Sequence, residues 1–579
     1  MLVTNTPRVF LFVTIPTHLR VLMEVADLLR SSSRYQPVLV YYPSAVFDQN
    51  HENCQYASHD TYLWSQGRFL SKEDYLYGHS TSEAPHPTPN RGLSSWLPNK
   101  GIYRGLRRFL PFLPHPTSIT PIIGSCFYII APTVRFLAGA CSVFKALIIN
   151  FLSFTWPSFN RRTVYLNAKK RNWLQRFLLT SFAQEWDASS KKFTHTKICI
   201  LQRLIRLFTE GLFTGLNEQC EFFEAADTFI KQQKVNLVVL PEANLFYNSH
   251  YLIHAAHSNN VPVAIVPFTI VNTLEWAEAF FDVSIYHANK GWNRLFAKAF
   301  PFWVLKHRGR DLILPPVTIL ACELFNIVPD IPWLINSSDA DAIAAESQFM
   351  SDYYMRAGIK RNKIRFTGSL SDDRIFSLLS QRDYYRKELE LRCNISLTER
   401  IVLIGLPPDQ FGGGKRQGCE FDNHEELIRF MIDTVKELSD ERTTILINLH
   451  PRIKYNNTSI LSTYQAMIIN EPIEHLVPLA DVYIAVASAT IRLGMSCGIP
   501  VVNYDAYQYN YDDYKGQPGI CEAKSKQEYR SFIDAILNDP TTYCKLQKAQ
   551  MKVASNSCQV DGKAGERLLN LFDELSAVN

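Results

Sequence analysis

Three observations predict an α/β protein made of two Rossmann-like β/α domains that face a cleft, with a basic apolar insertion in the first. The chain opens on a β-α-β unit, strand and helix signals alternate again from about residue 195, and a second alternating series begins at 399. The chain has 579 residues, 46% of them hydrophobic, which is enough for two cores. The spans expected are 1–370 for the first domain, with an insertion at 84–184, and 371–579 for the second.

In order along the chain, residues 8–15 (RVFLFVTI) form a continuous apolar, β-branched run, the mark of a strand buried on both faces. Pro16, Thr17 and His18 are read as a loop, LRVLMEVADLLRSS carries helical spacing, and PVLVYY at 37–42 is the second strand. After the insertion, NLVVLPEAN (236–244) reads as a strand ending in Pro241 and Glu242, HYLIHAAHSNN (250–260) as a helix and VPVAIVPFT (261–269) as a strand. DAIAAESQFMSDYYMRAG reads as helix-like, and RIFSLLSQRDYYRKELELR as a helix leaving the first domain. The second domain runs from the strand ERIVLIGLPP (399–408) through the loop DQFGGGKRQG, a helix at 424–438 and the strand TTILINLHPR (443–452). It continues with IEHLVPLADVYIAVAS (473–488) and ATIRLGMSCGIPVVNYD (489–505), and no internal repeat competes with this order. Sites in such sheets form at the C-terminal ends of the strands.

The net charge of +5 conceals an asymmetry: no Asp or Glu occurs from Ala84 to Gln184, where thirteen Lys and Arg residues lie. Without them the remainder is net negative, so a uniformly basic protein wrapped around nucleic acid is excluded and no nucleic-acid partner is expected. Residues 109–134 carry no formal charge but hold five prolines, which argue against one straight spanning helix. Basic clusters at 100–108 and 161–171 flank the apolar stretches. A peripheral or re-entrant association with the anionic inner face of a membrane is therefore expected for 84–184; a pair of buried helices with basic loops is the alternative. The twelve cysteines show no C-x-x-C pair and no zinc spacing, so neither a disulfide framework nor a metal is expected and a reducing cytoplasm fits. The opening apolar run stops at Pro16, too short for a secretion signal.

Several residues suggest anion chemistry on their own. The loop DQFGGGKRQG lies between strand and helix, so Gly412, Gly413 and Gly414 bring backbone N–H groups close to an anion while Lys415 and Arg416 supply charge. It is not a P-loop, because the Ser or Thr required after the Lys is replaced by Arg416. His450 ends an apolar strand, followed by Pro451 and Arg452, and can donate to a phosphate or a sugar hydroxyl. Ser488 and Thr490 offer two hydroxyls before a helix; helix capping by Ser488 accounts for them equally. Asp339-Ala340-Asp341 has the spelling of a metal-binding D-x-D but is read as a helix cap. The tyrosine-rich run YDAYQYNYDDYKG (504–516) is read as a substrate-facing loop or a packed domain interface.

Three segments, AAESQFMSDYYMRAGIKRNKIRFTGSLSDD (344–373), LHPR (449–452) and LADVYIAVASATIRLGMSCGIPVVNYD (479–505), together resemble the two-Rossmann-domain GT-B glycosyltransferases of bacterial surface-polysaccharide synthesis. Their relatives include UDP-sugar 2-epimerases, CDP-glycerol glycerophosphotransferases and bacterial sialyltransferases. The matched positions are Ser347, Gly358-Ile359, Lys363-Ile364 and Thr367-Gly368, then the His-Pro pair and the G-x-P-V-V strand. The resemblance covers about 200 residues. It implies a transferase moving a sugar from a nucleotide-activated donor to a surface-glycan or lipid-linked acceptor, with no cofactor and no metal. It also implies a general base at His18, in the first strand-helix turn, with Glu242 as the alternative base, and a donor site holding Gly413, Lys415, Arg416, His450, Arg452, Ser488 and Thr490. One departure stands out: Leu493 occupies the place, five residues before the Gly of G-x-P, where many relatives carry a donor-binding Glu. A 2-epimerase-like enzyme and a non-catalytic glycan-assembly protein of the same fold are the other readings.

Overall fold

A computed structural model describes residues 6–42, 60–65, 68–71, 195–411, 415–450, 453, 463–464, 467–511 and 513–577; the side chains of 195–213, 556 and 557 lie outside that description. The insertion at 84–184 also lies outside the described residues. The first ten strands are β1 (Arg8–Val13), β2 (Gln36–Tyr41), β3 (Asp60–Ser65), β4 (Arg68–Ser71), β5 (Val235–Leu240), β6 (Val263–Ile265), β7 (Val304–His307), β8 (Arg310–Ile313), β9 (Ala342–Ala345) and β10 (Ile364–Phe366). Eight of them form one sheet in the order β10-β9-β6-β5-β1-β2-β3-β4, parallel throughout except at the β3–β4 hairpin; β7 and β8 form a separate antiparallel hairpin. The second sheet takes β11 (Arg400–Gly405), β12 (Thr443–Asn448), β13 (Val482–Ala485), β14 (Val501–Tyr504) and β15 (Ile520–Ala523) in the parallel order β12-β11-β13-β14-β15. These are the two Rossmann-like α/β units that the sequence predicts.

The central strands are buried on both faces because helices cover both, which is why β1 and β5 read as unbroken apolar runs. Apolar layers lie on each side of the first sheet: one holds Phe10, Phe12 and Val238, the other Val9, Leu11 and Leu237. The second layer is completed by the helix Ala564–Ala577, which packs on β5 and adds Leu568, Leu571 and Phe572 to the cluster that holds Val9, Leu11 and Leu22. Each such side chain contributes about 1.5–3 kcal/mol of burial. The segment 564–577, counted with 371–579 from sequence, thus packs on the first sheet.

Four readings need correction. Pro16 to His18 are not a loop: Pro16 opens the helix Pro16–Ser32, where a missing N–H costs nothing. The stretch beginning DAIAA is a strand, β9, before it becomes the helix Gln348–Arg356; its alanines favour helix locally, but burial between β6 and β10 decides. Asp341 therefore caps no helix, and its carboxylate instead accepts from Val263 N and His257 Nε2. The helix leaving the first domain is two helices, Leu370–Ser380 and Arg382–Cys393, broken at Gln381 and packed on the second sheet through Ile375 and Leu389. No helix among the described residues is long and apolar enough to cross a membrane.

Candidate functional site

Residues just beyond the C-terminal ends of the strands meet across a cleft between the two sheets. Asn272, after β6, donates through Nδ2 to Asp513 Oδ2 at 2.8 Å, and Arg416, after β11, donates to Glu278 at 2.7 Å. Phe349 and Tyr514 stack across the same boundary.

On the first-domain side, His18 and Glu242, read from sequence as alternative bases, come together. His18 is 0% exposed in the first turn of its helix; Nδ1 lies 2.9 Å from Thr14 Oγ1 and Nε2 lies 3.5 Å from Glu242 Oε1. Phe268 packs edge-on against the imidazole. Glu242 reaches this place because β5 ends at Leu240 and Pro241 turns the chain; Asn244 Nδ2 donates to the same carboxylate oxygen at 3.2 Å. Glu275, in the helix Glu275–Phe280, faces both Glu242 and Asp513. Burial, with these two negative charges, pushes its carboxyl up to about 7, so Glu275 retains a proton where an exposed carboxylate would not.

On the second-domain side, the ends of β13, β14 and β15 line a shallow open pocket with Ala487, Asn503, Asp505, Tyr511, Asp513 and Lys524 among its walls. Ala487 holds φ 42°, a left-handed conformation strained for a residue with Cβ, and its N–H is tied to Asn503 Oδ1 at 3.0 Å. Asp505 accepts from Tyr509 N and Asn510 N, closing the tyrosine-rich loop over the pocket, and Lys524 Nζ donates to Asn510 Oδ1. That loop therefore both faces the cleft, through Tyr511, and packs the interface, through Tyr514.

The residues expected to hold a donor divide. Ser488 and Thr490 lie next to Ala487, their hydroxyls 2.7 Å apart; Thr490 N donates to Ser488 Oγ, and the helix Ile491–Cys497 that follows has no side-chain cap. His450 is half-buried beyond β12, the strand at the opposite edge of the sheet from β15, and does not line the pocket. Lys415 is exposed and engaged with Asp422 at 2.6 Å, seven residues on. Arg416 is held by Glu278, which also accepts from His307 Nε2 at 2.7 Å, and its guanidinium lies over the Tyr509 ring. Gly413 and Arg452 lie outside the described residues.

Leu493 is packed in the apolar layer behind β13, while its neighbour Arg492 pairs with Asp372 at 2.8 Å and with Ser371. Beside Arg492 lies a group the sequence did not single out. Glu346, directly after β9, is buried with neither carboxylate oxygen hydrogen-bonded, and burial pushes it up to about 7 against the pull of Arg492. Glu275, Asn503 and Asp505 were likewise missed; only the Asp-rich 504–516 run hinted at them. No group of three or more His, Cys, Asp or Glu among the described residues is arranged to hold a metal ion.

No protein-family model matches the chain, and no curated protein matches it. Among solved structures it is similar to the wall teichoic acid polymerase TagF, at 12% identity over 62% of this chain and 76% of that one, with a TM-score of 0.40. It is similar to the UDP-GlcNAc 2-epimerase from Neisseria meningitidis bound to UDP-GlcNAc, at 12% identity over 62% and 82%, with a TM-score of 0.38. Similarity to the glycotransferase of kitacinnamycin, at 8% identity, spans 99% of both chains with a TM-score of 0.44.

Proposed function

We propose that the protein is a GT-B-type glycosyltransferase that moves a sugar from a nucleotide-activated donor to a surface-glycan or lipid-linked acceptor at the inner face of the cytoplasmic membrane. The observation that carries this reading is the meeting of His18, Glu242 and Glu275 from one sheet with Asp513 and the pocket of the other. A group-transfer enzyme with two substrates needs such an arrangement, one substrate held by each domain and the reacting atoms between them.

In this reading the nucleotide occupies the pocket at the ends of β13–β15. Asn503 and Asp505 lie within reach of sugar hydroxyls, Ser488 and Thr490 supply hydroxyl donors, and Lys524 supplies a positive charge for phosphate. Gly413, Lys415, Arg416, His450 and Arg452 would approach the phosphates from the glycine-rich loop and the end of β12. The acceptor lies on the first domain, where Glu242 removes the proton of the attacking hydroxyl and His18, enclosed and hydrogen-bonded to Thr14, holds the carboxylate in place. Glu275, keeping its proton near neutral pH, serves as the acid of the pair, because two adjacent carboxyls do not both ionise readily. The acid-free segment 84–184 would hold the enzyme at the anionic leaflet where lipid-linked acceptors reside.

The packing of Leu493 away from the pocket favours a second reading, a non-catalytic protein of the same fold, since no carboxylate can act from that position. Thermal melting with UDP, CMP, CDP and GDP separates the two. A rise in Tm with one nucleotide that Lys524→Met abolishes supports the donor pocket; no rise with any of them supports the non-catalytic protein.

A further inference from the structure

A second acid-free run lies within the described residues. From Val283 to Arg310 there is no Asp or Glu, while Lys290, Arg294, Lys298, Lys306, Arg308 and Arg310 supply six positive charges. The chain here passes through the helix Asn293–Ala299, a turn at Pro301–Trp303 and the β7–β8 hairpin. Its inward positions are Asn293, Phe296, Ala299, Phe300 and Trp303. Lys290, Arg294, Lys298, Phe302 and Lys306 are all exposed, Arg294 and Lys298 one turn apart on the same helix and Phe302 54% exposed. Arg308 and Arg310 find carboxylate partners in Glu278 and Asp282, whereas Lys290, Arg294, Lys298 and Lys306 have no ion pair with any described residue.

Folding alone does not explain this pattern. A large apolar side chain left in water forgoes burial energy, and a run of like charges with no acidic residue among them repels itself. Both costs are offset against a surface that is negatively charged outside and apolar a few ångströms below. Each basic side chain near an anionic leaflet contributes attraction, and an aromatic ring adds apolar insertion. Nucleic acid would match the charge, yet it offers no apolar layer for the exposed Phe302 in the turn Pro301–Trp303.

We propose that the exposed acid-free segment carrying Lys290, Arg294, Lys298, Phe302 and Lys306 docks on an anionic membrane surface. The inference extends the membrane part of the reading above from residues 84–184 to a second segment of the chain, and it stands on surface charge and exposure without using the nucleotide pocket.

The test is sedimentation of the full-length protein with vesicles of phosphatidylcholine alone and with 30% phosphatidylglycerol. The wild type, the double variant Arg294→Glu/Lys298→Glu and the single variant Phe302→Ser are compared, each checked for folding by thermal melting. The proposal predicts that the double variant loses roughly tenfold or more in partition onto anionic vesicles. Phe302→Ser loses severalfold, and its loss persists at high salt. Unchanged partition of both variants overturns the proposal, even if the wild type binds through 84–184. Equal loss by the double variant of binding to a charge-matched DNA duplex, with Phe302→Ser unaffected on vesicles, also overturns it in favour of a nucleic-acid surface. The nucleotide-induced rise in Tm, measured on the same variants, is expected to be unaltered; its absence from the wild type would count against the transferase reading and leave the vesicle result standing.

Discussion

Arg416 donates to Glu278 at 2.7 Å across the cleft, so a cation expected to bind phosphate is bound instead to a carboxylate of the opposite domain. Glu278 is buried and keeps His307 and Arg308 as further partners, which makes Arg416 the replaceable member of the cluster. A diphosphate entering beside the glycine-rich loop would compete for the same guanidinium.

That competition gives the first prediction. Glu278→Gln weakens the hold on Arg416 and should tighten nucleoside-diphosphate binding by roughly threefold to tenfold, because the bound conformation no longer has to break a charged pair. Isothermal titration measures it. Weaker binding in the variant would mean that the pair positions the loop for the ligand.

The dyad gives the second. His18→Ala and Glu242→Gln should each lower turnover by about 10²–10⁴, the range for loss of general acid–base help, while leaving the nucleotide-induced Tm rise intact. Transfer of radiolabelled sugar to a membrane-extracted acceptor reads the first, thermal melting the second.

Glu275 adds a pH signature. With its carboxyl pushed up to about 7, the protonated form is lost as pH rises through that value, so turnover that needs it falls on the alkaline side. The profile of Glu275→Gln should lack that limb, with a lower plateau. An identical limb in the variant would assign the ionisation to another group.

Glu346 affects stability rather than rate. Burial raises its carboxyl from 4.5 to about 7, so the folded state binds the proton more tightly than the unfolded chain does. Stability is then greatest below 4.5 and declines as pH climbs towards 7. Glu346→Gln is neutral at every pH and should gain on the wild type over that window, by on the order of 3 kcal/mol at pH 8. Chemical denaturation at pH 4.5 and pH 8 checks the sign: a constant difference between the proteins refutes it.

The pair Arg492–Asp372 ties the helix Leu370–Ser380 to the helix behind β13, with the aspartate almost fully enclosed. Arg492→Met strands that charge and should cost about 3–5 kcal/mol; Arg492→Met with Asp372→Leu should recover most of the loss. Urea midpoints of the two variants provide the comparison.

The sequence made the sheets legible where burial on both faces wrote unbroken apolar runs, as in β1, β2, β5 and β11. It misled at Ala342–Ala345, where short side chains carry a helical preference and only the flanking strands decide otherwise. His18 and Glu242 could be named because each follows a strand end, yet their meeting could not, since nothing local links the first and fifth strands. Arg416 and Lys415 looked alike in a basic loop; their different partners, Glu278 and Asp422, are set by which way the loop turns. Glu275 and Glu346 belong to no motif, and their chemistry comes from enclosure, which spacing does not encode.

The helix Ala564–Ala577 has a consequence for how the molecule is made. It joins the helix Pro16–Ser32 in the apolar layer over the first sheet, so the cover of those early strands is complete only after residues 564–577 have left the ribosome. The first sheet therefore completes its core only once the second unit has been made. A nascent chain stalled within the second unit leaves part of an apolar sheet face open to the cell.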